Sequence, residues 1–396
     1  MKKYKYIVIY RKKCHNCIYI NRKLYKSKGS DWMNVEKVAV LGAGNGGITA
    51  AADLSSRGFK VNLYQMPNYA KGLENIKERK EILLQEPTGD KVCKINLATT
   101  NIKEAIEGCQ IIMLTIPGFA VEDYAKILAP IVGEDQIILL NGAASMGCVR
   151  FINTAKEMGI DKEFKIAETN SLTYGTRAFA EEARVELSLR VKKIFLSAYP
   201  ASKNKEILDA CNQIYDCFVE AKNIWHVTLE NGNPEVHPGP CLLNAGRIDY
   251  SNGEFWLYKE GITKHTVRVL KAIEKERMEL GKAFGFNLED AKTSRIRRGY
   301  FKDEDKNLQE MFNTSEVFTA IKGPVSVTSR YFTEDISTGL VLWSSMGKAL
   351  GVPTPNIDAV IVLASSLLDV DFYEEGLTLD KLGFKGLNKT ELEQVV

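Results

Sequence analysis

Lys37-Val38-Ala39-Val40-Leu41-Gly42-Ala43-Gly44-Asn45-Gly46-Gly47 decides the fold of the first half of this 396-residue chain. Residues 37–41 read as a buried strand that runs straight into a glycine loop, and a helix is expected to follow through Arg57. Gly42 permits the tight turn, Gly44 lets backbone approach a pyrophosphate, and Gly47 allows the helix to pack closely on the strand. The helix start offers unpaired N–H groups and a partial positive charge. A glycine fingerprint alone is a weak signal, compatible with a mere tight turn. Its context strengthens it, because a second strand, residues 60–64, follows at the spacing of a βαβ unit. Gly42, Gly44, Asn45, Gly46 and Gly47 are therefore candidate dinucleotide contacts.

An NAD enzyme often carries an acid near the end of the second strand for the ribose 2′-hydroxyl, and an NADP enzyme an arginine. This chain has Tyr64-Gln65-Met66, so NAD versus NADP stays open. Further buried strands are expected at 110–116 and 136–140, leaving through Thr115-Ile116-Pro117-Gly118 and Asn141-Gly142-Ala143-Ala144. Ligands bind outside the carboxyl ends of parallel strands. These loops should flank a nicotinamide, which adds Thr115 and Pro117 to the candidates. Strand-like segments at 165–169 and 192–197 and a helical stretch at 203–218 extend the dinucleotide-binding domain over 34–222.

The length exceeds what one ordinary core supports, so a second domain is expected over 223–396. Its character is that of long amphipathic helices. One, over 263–284, places Val269, Ile273, Leu280 and Phe284 on one side, with Thr263 as N-cap and Gly285 as stop. Another is expected after Thr333, with Ile336, Leu340, Trp343 and Leu350 at helical spacing. Asp335 would then sit in its first turn, where unpaired N–H groups favour an ionised carboxylate able to hold an imidazole. Arg330 would lie in the preceding loop, its fork suited to a bidentate grip on a carboxylate. Helix capping and a surface ion pair account equally well for these two residues.

Four histidines make the search for an acid/base group short. His15 lies in the N-terminal tail, His226 in a strand-like apolar run that suits a structural role, and His265 near the start of a charged helix. His237 remains. It precedes Pro238, which biases it toward an extended conformation, and it falls just past the junction of the two halves. An imidazole, a carboxylate and a guanidinium facing a nicotinamide are the parts needed to reduce a carbonyl or imine that bears a carboxylate. A turn residue is the competing reading of His237.

Composition is that of a globular chain, with 45% apolar and 26% charged residues and 11 prolines. No apolar run approaches the roughly 18 residues of a membrane span, and residues 359–368 read as a buried helix. Residues 1–32 hold ten Lys or Arg and one acid, about +9, so a net charge of +3 leaves −6 for the remainder. A mildly acidic body argues against nucleic acid as partner. The eight cysteines lack a disulfide framework, which fits reduced thiols in a cytoplasmic protein. Cys14 and Cys17 are the only close pair and lack two further ligands, so no metal site is expected. Lys28-Gly29-Ser30 back-translates to a purine-rich AAAGGAAG, placed like a ribosome-binding site before the Met33 codon. The expectation is that residues 1–33 form a basic extension outside the functional protein, with translation starting at Met33; a partner-binding tail is the alternative. Oligomeric state is not legible.

Several motifs together resemble the opine dehydrogenase family, the octopine and nopaline dehydrogenases, over residues 35 to 375. They are Gly-Ala-Gly-Asn-Gly-Gly at 42–47, Ala-Glu-Thr-Asn-Ser-Leu-Thr-Tyr at 167–174, Asn-Pro-Glu-Val-His-Pro at 233–238, Glu-Lys-Glu-Arg at 274–277 and Arg-Tyr-Phe-Thr-Glu-Asp at 330–335. The resemblance implies an α/β Rossmann domain followed by an all-α domain, and condensation of an α-keto acid, often pyruvate, with the amino group of an L-amino acid, using NADH or NADPH. It implies His237 and Asp335 as the catalytic pair and Arg330 as the grip on substrate carboxylate. A two-domain dehydrogenase acting on a hydroxy acid or polyol phosphate competes within enzymes. A non-catalytic nucleotide sensor competes from another class.

Overall fold

Four consecutive apolar residues, Val38 to Leu41, are fully buried in the first strand, because a parallel strand with helices on both faces has no wet side. The structure, a computed structural model, describes residues 33–142 and 145–396. The expectations for the basic segment and its cysteine pair, and Ala143 and Ala144 of the loop after Leu140, lie outside the described residues.

In chain order the strands are β1 (Lys37–Leu41), β2 (Lys60–Tyr64), β3 (Glu81–Gln85), β4 (Lys91–Lys94), β5 (Leu97–Thr99), β6 (Ile111–Leu114), β7 (Ile137–Leu140), β8 (Lys165–Thr169), β9 (Tyr174–Phe179), β10 (Arg184–Arg190), β11 (Ile194–Tyr199) and β12 (Phe218–Glu220). Eight of them form one sheet in the order β12-β11-β8-β7-β6-β1-β2-β5, parallel except where β11 meets β8. Strand order reverses at β1, which pairs with β2 on one side and β6 on the other. The carboxyl ends of β1 and β6 therefore open a crevice at a topological switch point, where such sheets take their ligands. The expected Rossmann architecture is present.

Two features of this half differ from the sequence reading. The helix expected over 203–218 ends at Cys211, since the chain must turn back to bring Phe218 beside Ile194 in β12. A second sheet, β4-β3-β10-β9, was not anticipated. Its alternation is visible in hindsight: Ile82, Leu84, Val185 and Leu187 are buried while their neighbours are not. This sheet covers the helix Asn45–Ser56 that follows the glycine loop, with Thr49 and Thr176 hydroxyls 2.7 Å apart and Tyr174 donating to buried Asp53 at 2.8 Å.

Beyond Glu220 the elements are helical, as expected. Lys264–Ala283 starts from a Thr263 capping box and stops before Gly285 at φ 73°. The helix expected after Thr333 begins earlier, because Ser329 rather than Thr333 is the N-cap: an α-turn Arg330–Glu334 leads into a wide π-turn Asp335–Leu340 and then Val341–Leu350. His226 lies in a short helix, Ile224–Leu229, capped by Asn223, not in a strand. The helix Pro355–Leu368 is only half sunk, leaving Val362, Leu363 and Leu367 exposed. Among the described residues no helix is long and apolar enough to cross a membrane. One buried cluster runs from Met146 and Val149 through Trp225 and Ile273 to Phe332, Ile336 and Trp343, so the start of the helix Gly147–Glu157 shares a core with the helices beyond Glu220.

The glycine loop is tight enough to test. A Cβ on Gly47 would sit 1.7 Å from the Gly42 carbonyl oxygen, which no rotamer change relieves. Gly47→Ala is expected to cost about 1–3 kcal/mol or more in urea unfolding and to abolish saturable NADH fluorescence enhancement. Unchanged values for both would mean that the loop is not built this way.

Candidate active site

The cofactor cradle is made by backbone. Gly42 takes φ 99°, where a side chain would be strained, and Gly44 leads into the helix Asn45–Ser56, which has no side-chain N-cap. A Cβ on Gly44 would meet nothing within 4 Å, so its outer face is open. An uncapped helix start of twelve residues behind an open glycine turn, at the switch point of a parallel sheet, fits a pyrophosphate. Three other candidates support the cradle by a different route from the one expected. Asn45 turns its amide oxygen to the Ala178 N–H at 2.9 Å, and Gly46 packs on Leu172, where a Cβ would come within 2.9 Å. Thr115 donates from beneath the loop, its hydroxyl 3.2 Å from both the Leu41 and Gly42 carbonyl oxygens. Pro117 precedes the short turn Gly118–Ala120 at the crevice edge.

His237 and Asp335, 98 residues apart, meet: Nδ1 lies 2.7 Å from Asp335 Oδ2. The other ring nitrogen, Nε2, lies 2.7 Å from the Tyr258 hydroxyl. Tyr331 covers the ring at 4.4 Å between centroids, and His237 is 8% exposed. The local electrostatics differ from the sequence expectation. Asp335 stands a full turn inside its helix, so the unpaired N–H groups of a helix start do not act on it. Burial pushes its carboxyl above the usual carboxylate range, and the hydrogen bond and charge of His237 oppose that push. Burial also raises Tyr258 well above, and Tyr331 up to about 12, so both phenols are neutral at ordinary pH.

Why His237 stands where it does follows from its neighbours. It is in the helical region, φ −91° and ψ −58°, rather than the extended one expected before proline, because two short helices, Asn233–Val236 and Pro238–Leu243, are packed end to end around it. Glu235, fully buried, takes a hydrogen bond from Arg277 Nε at 2.8 Å, and Arg277 also donates to the carbonyls of Leu229 and Glu289. On the other side the π-turn Asp335–Leu340 reaches Pro234 through Gly339, where a Cβ would lie 2.3 Å from the proline ring. The histidine is thus clamped between a buried ion pair and the turn that carries its partner.

Arg330 is in the first helical turn, not in a loop, and its side chain is 60% exposed. Its Nε donates to Glu334 Oε2, while Glu334 Oε1 accepts from the Gly118 N–H at 2.7 Å. Among the described residues its two terminal nitrogens have no hydrogen-bond partner. Glu334 therefore ties the guanidinium to the loop at the end of β6 and leaves the fork open. His226 fills the structural role expected of it, accepting from the Lys222 N–H at 3.1 Å, and His265 is exposed. The sequence reading missed Tyr258, Tyr331, Glu334 and the Glu235–Arg277 pair. Arg277 carried a usable signal, as a charge at i+4 from Ile273 on the apolar face of its helix.

Residues 220–368 match the family of NAD/NADP octopine/nopaline dehydrogenases in its α-helical domain, and residues 37–158 match the N-terminus of NAD-dependent glycerol-3-phosphate dehydrogenases. The opine dehydrogenase of Arthrobacter sp. (strain 1C) is 32% identical over 358 residues, spanning 90% of this chain and 98% of that protein. This chain belongs to the opine dehydrogenase family. Its relatives are NAD(P)-dependent oxidoreductases, and this chain is one by the same descent. The fold agrees with a solved octopine dehydrogenase in complex with NADH and agmatine, at TM-score 0.69, 20% identity and coverage of 90% and 97% of the two chains. An NADP+-bound yersinopine dehydrogenase aligns at TM-score 0.64 and 15% identity, over 90% and 95% of the two chains.

The clamp around His237 generates a prediction specific to this opine dehydrogenase. Removing one partner of a buried ion pair strands the other charge and costs about 3–5 kcal/mol. Glu235→Ala is expected to lose that much in urea unfolding, and a loss below about 1 kcal/mol would show that Arg277 finds water or another acceptor.

Proposed function

We propose that this protein condenses an α-keto acid with the amino group of an L-amino acid, reduces the imine at the expense of NADH or NADPH, and runs the reverse oxidation. The observation that carries the reading is a nearly dry imidazole held by a carboxylate, beside an arginine whose open fork is tied to the cofactor loop. Pyruvate as the keto acid is supported by solved octopine dehydrogenases described with NADH and pyruvate and with NADH and L-arginine. Residues 34–222 serve the cofactor and residues 223–396 the substrates, in the cytoplasm.

The residues divide the work as follows. Asp335 orients His237 and stabilises its protonated form. The imidazolium is the source of the proton for the keto or carbinolamine oxygen as water leaves, and the neutral ring is the base in the reverse direction. Arg330 anchors a substrate carboxylate with its terminal nitrogens, fixing the carbon that is to be reduced. A bound nicotinamide supplies the hydride. Gly42, Gly44 and the N–H groups after Gly44 would hold the pyrophosphate of a bound dinucleotide, with Thr115 bracing the loop.

The match of residues 37–158 to glycerol-3-phosphate dehydrogenases keeps one competing reaction in view, reduction of a ketone without an amine. A matrix of keto acids against amino acids, run with both cofactors, separates the two: NADH oxidation that requires the amino acid supports opine synthesis, and oxidation with the keto acid alone supports the competitor. Tight cofactor binding without turnover in any cell of the matrix would point to a sensor.

His237→Ala is expected to lower turnover by roughly 10² to 10⁴-fold, the usual contribution of an acid/base group, with cofactor affinity little changed. Wild-type turnover in that variant overturns the assignment.

A further inference from the structure

Both nitrogens of the His237 ring are taken, Nδ1 by Asp335 Oδ2 and Nε2 by Tyr258 Oη, each at 2.7 Å. A carboxylate only accepts, so Nδ1 carries its hydrogen in either state of the ring. Nε2 must then change role, acceptor in the neutral imidazole and donor in the imidazolium. A phenol suits both states, because turning its one hydrogen about the C–O bond converts it from donor to acceptor. A substrate oxygen approaching Nε2 along its single in-plane direction would arrive where Oη already stands.

Neither ring is free to step aside. Tyr258 is 4% exposed, with Phe312 and Phe318 centroids 5.7 and 4.4 Å from its own. Its wide turn, Leu257–Gly261, is held by Asn313 Nδ2, which donates to the Tyr258 carbonyl at 2.8 Å and the Ile262 carbonyl at 3.0 Å. His237 is fixed by Asp335 at one edge and covered by Tyr331. Wide turns inserted in helices recur at functional sites; Asp335–Leu340 is one, and the free-standing wide turn Leu257–Gly261, between extended residues, carries the other partner of the same imidazole.

We propose that Tyr258 is a catalytic residue, the group through which the proton of His237 reaches the substrate. In the forward direction the phenol gives its proton to the carbinolamine oxygen as the C–O bond breaks and water leaves. Oη takes the Nε2 proton in the same step. The phenol is neutral before and after, the imidazolium becomes neutral imidazole, and Nδ1–H stays on Asp335. The reverse reaction runs the same transfers backwards. This rests on the reading of His237 as the acid/base group.

The test is Tyr258→Phe, which removes one oxygen and keeps the packing, measured beside His237→Ala and the double variant, with cofactor affinity from NADH fluorescence and foldedness from thermal unfolding. The expected result is a fall in kcat of roughly 10² to 10⁴-fold for Y258F, cofactor affinity unchanged, and no further loss in the double variant relative to H237A. A kcat within about tenfold of wild type, or losses that multiply in the double variant, overturns the relay. If H237A itself keeps wild-type turnover, the acid/base reading falls instead. Should Y258F fail to fold, site-specific difluorotyrosine at position 258 keeps the ring and hydroxyl but makes the phenol more acidic; kcat must then change several-fold, and an unchanged kcat overturns the proposal.

Discussion

The hydrogen bond between His237 and Asp335 joins two segments of chain that have no local reason to meet, and the helical part of the molecule is arranged so that they do. An isolated carboxylate in this environment would be pushed toward its neutral form, as the raised Asp335 shows, and the hydrogen bond and charge of His237 oppose that push. The pair costs desolvation of two polar groups, which helix packing offsets: Phe332 and Ile336, flanking Asp335, are fully buried in the same cluster as Trp225 and Trp343.

Geometry of that quality needs backbone to come close, and small or specialised residues let it. Gly339 allows the π-turn to lie on Pro234, and the Glu235–Arg277 pair holds the opposite side of the histidine segment. A buried ion pair is weak evidence for stability, since an apolar pair of equal volume would often serve as well. Its value here is directional. Arg277 places three donors on Glu235 and on the carbonyls of Leu229 and Glu289, and the first two of these fix the segment that leads into His237.

What was legible beforehand follows from how far each feature depends on distant chain. The strands β1, β6 and β7 are nearly continuous apolar runs bounded by turn residues, the first leading straight into the glycine loop, and their placement needs no partner to interpret. The β10 strand carries a period-two pattern, Val185, Leu187 and Leu189 alternating with Glu186 and Ser188, whereas β3, Glu81–Gln85, has three consecutive apolar residues and alternates only in burial. For the segment 329–335, Ser329 and Thr333 are both of a residue type that starts helices, and the packing of Phe332 and the π-turn at Gly339 decide for the earlier one, whose own hydroxyl makes no capping bond. The residue identities at the site were readable, while the electrostatic reason for them was not: Asp335 is governed by burial, which depends on helices that the local sequence does not mention. His226 lies in a helix rather than a strand for a plainer reason: the mainly apolar Ile224–Leu229 is as compatible with one as with the other.

Glu334 shows how the two halves act as one device. A carboxylate can accept at both oxygens, and this one accepts from the Gly118 N–H on the cofactor side and from Arg330 on the substrate side. Gly118 is held in turn through its carbonyl, which takes a hydrogen bond from Arg150 at 2.8 Å, and Arg150 also grips Glu122. An amide in place of Glu334 could satisfy only one of the two donors, whichever way it turned. The chain from Arg150 through Gly118 and Glu334 to Arg330 therefore sets the orientation of an exposed guanidinium by the position of the cofactor loop. A long, flexible side chain gains a defined direction without being buried, and its terminal nitrogens stay available for a substrate.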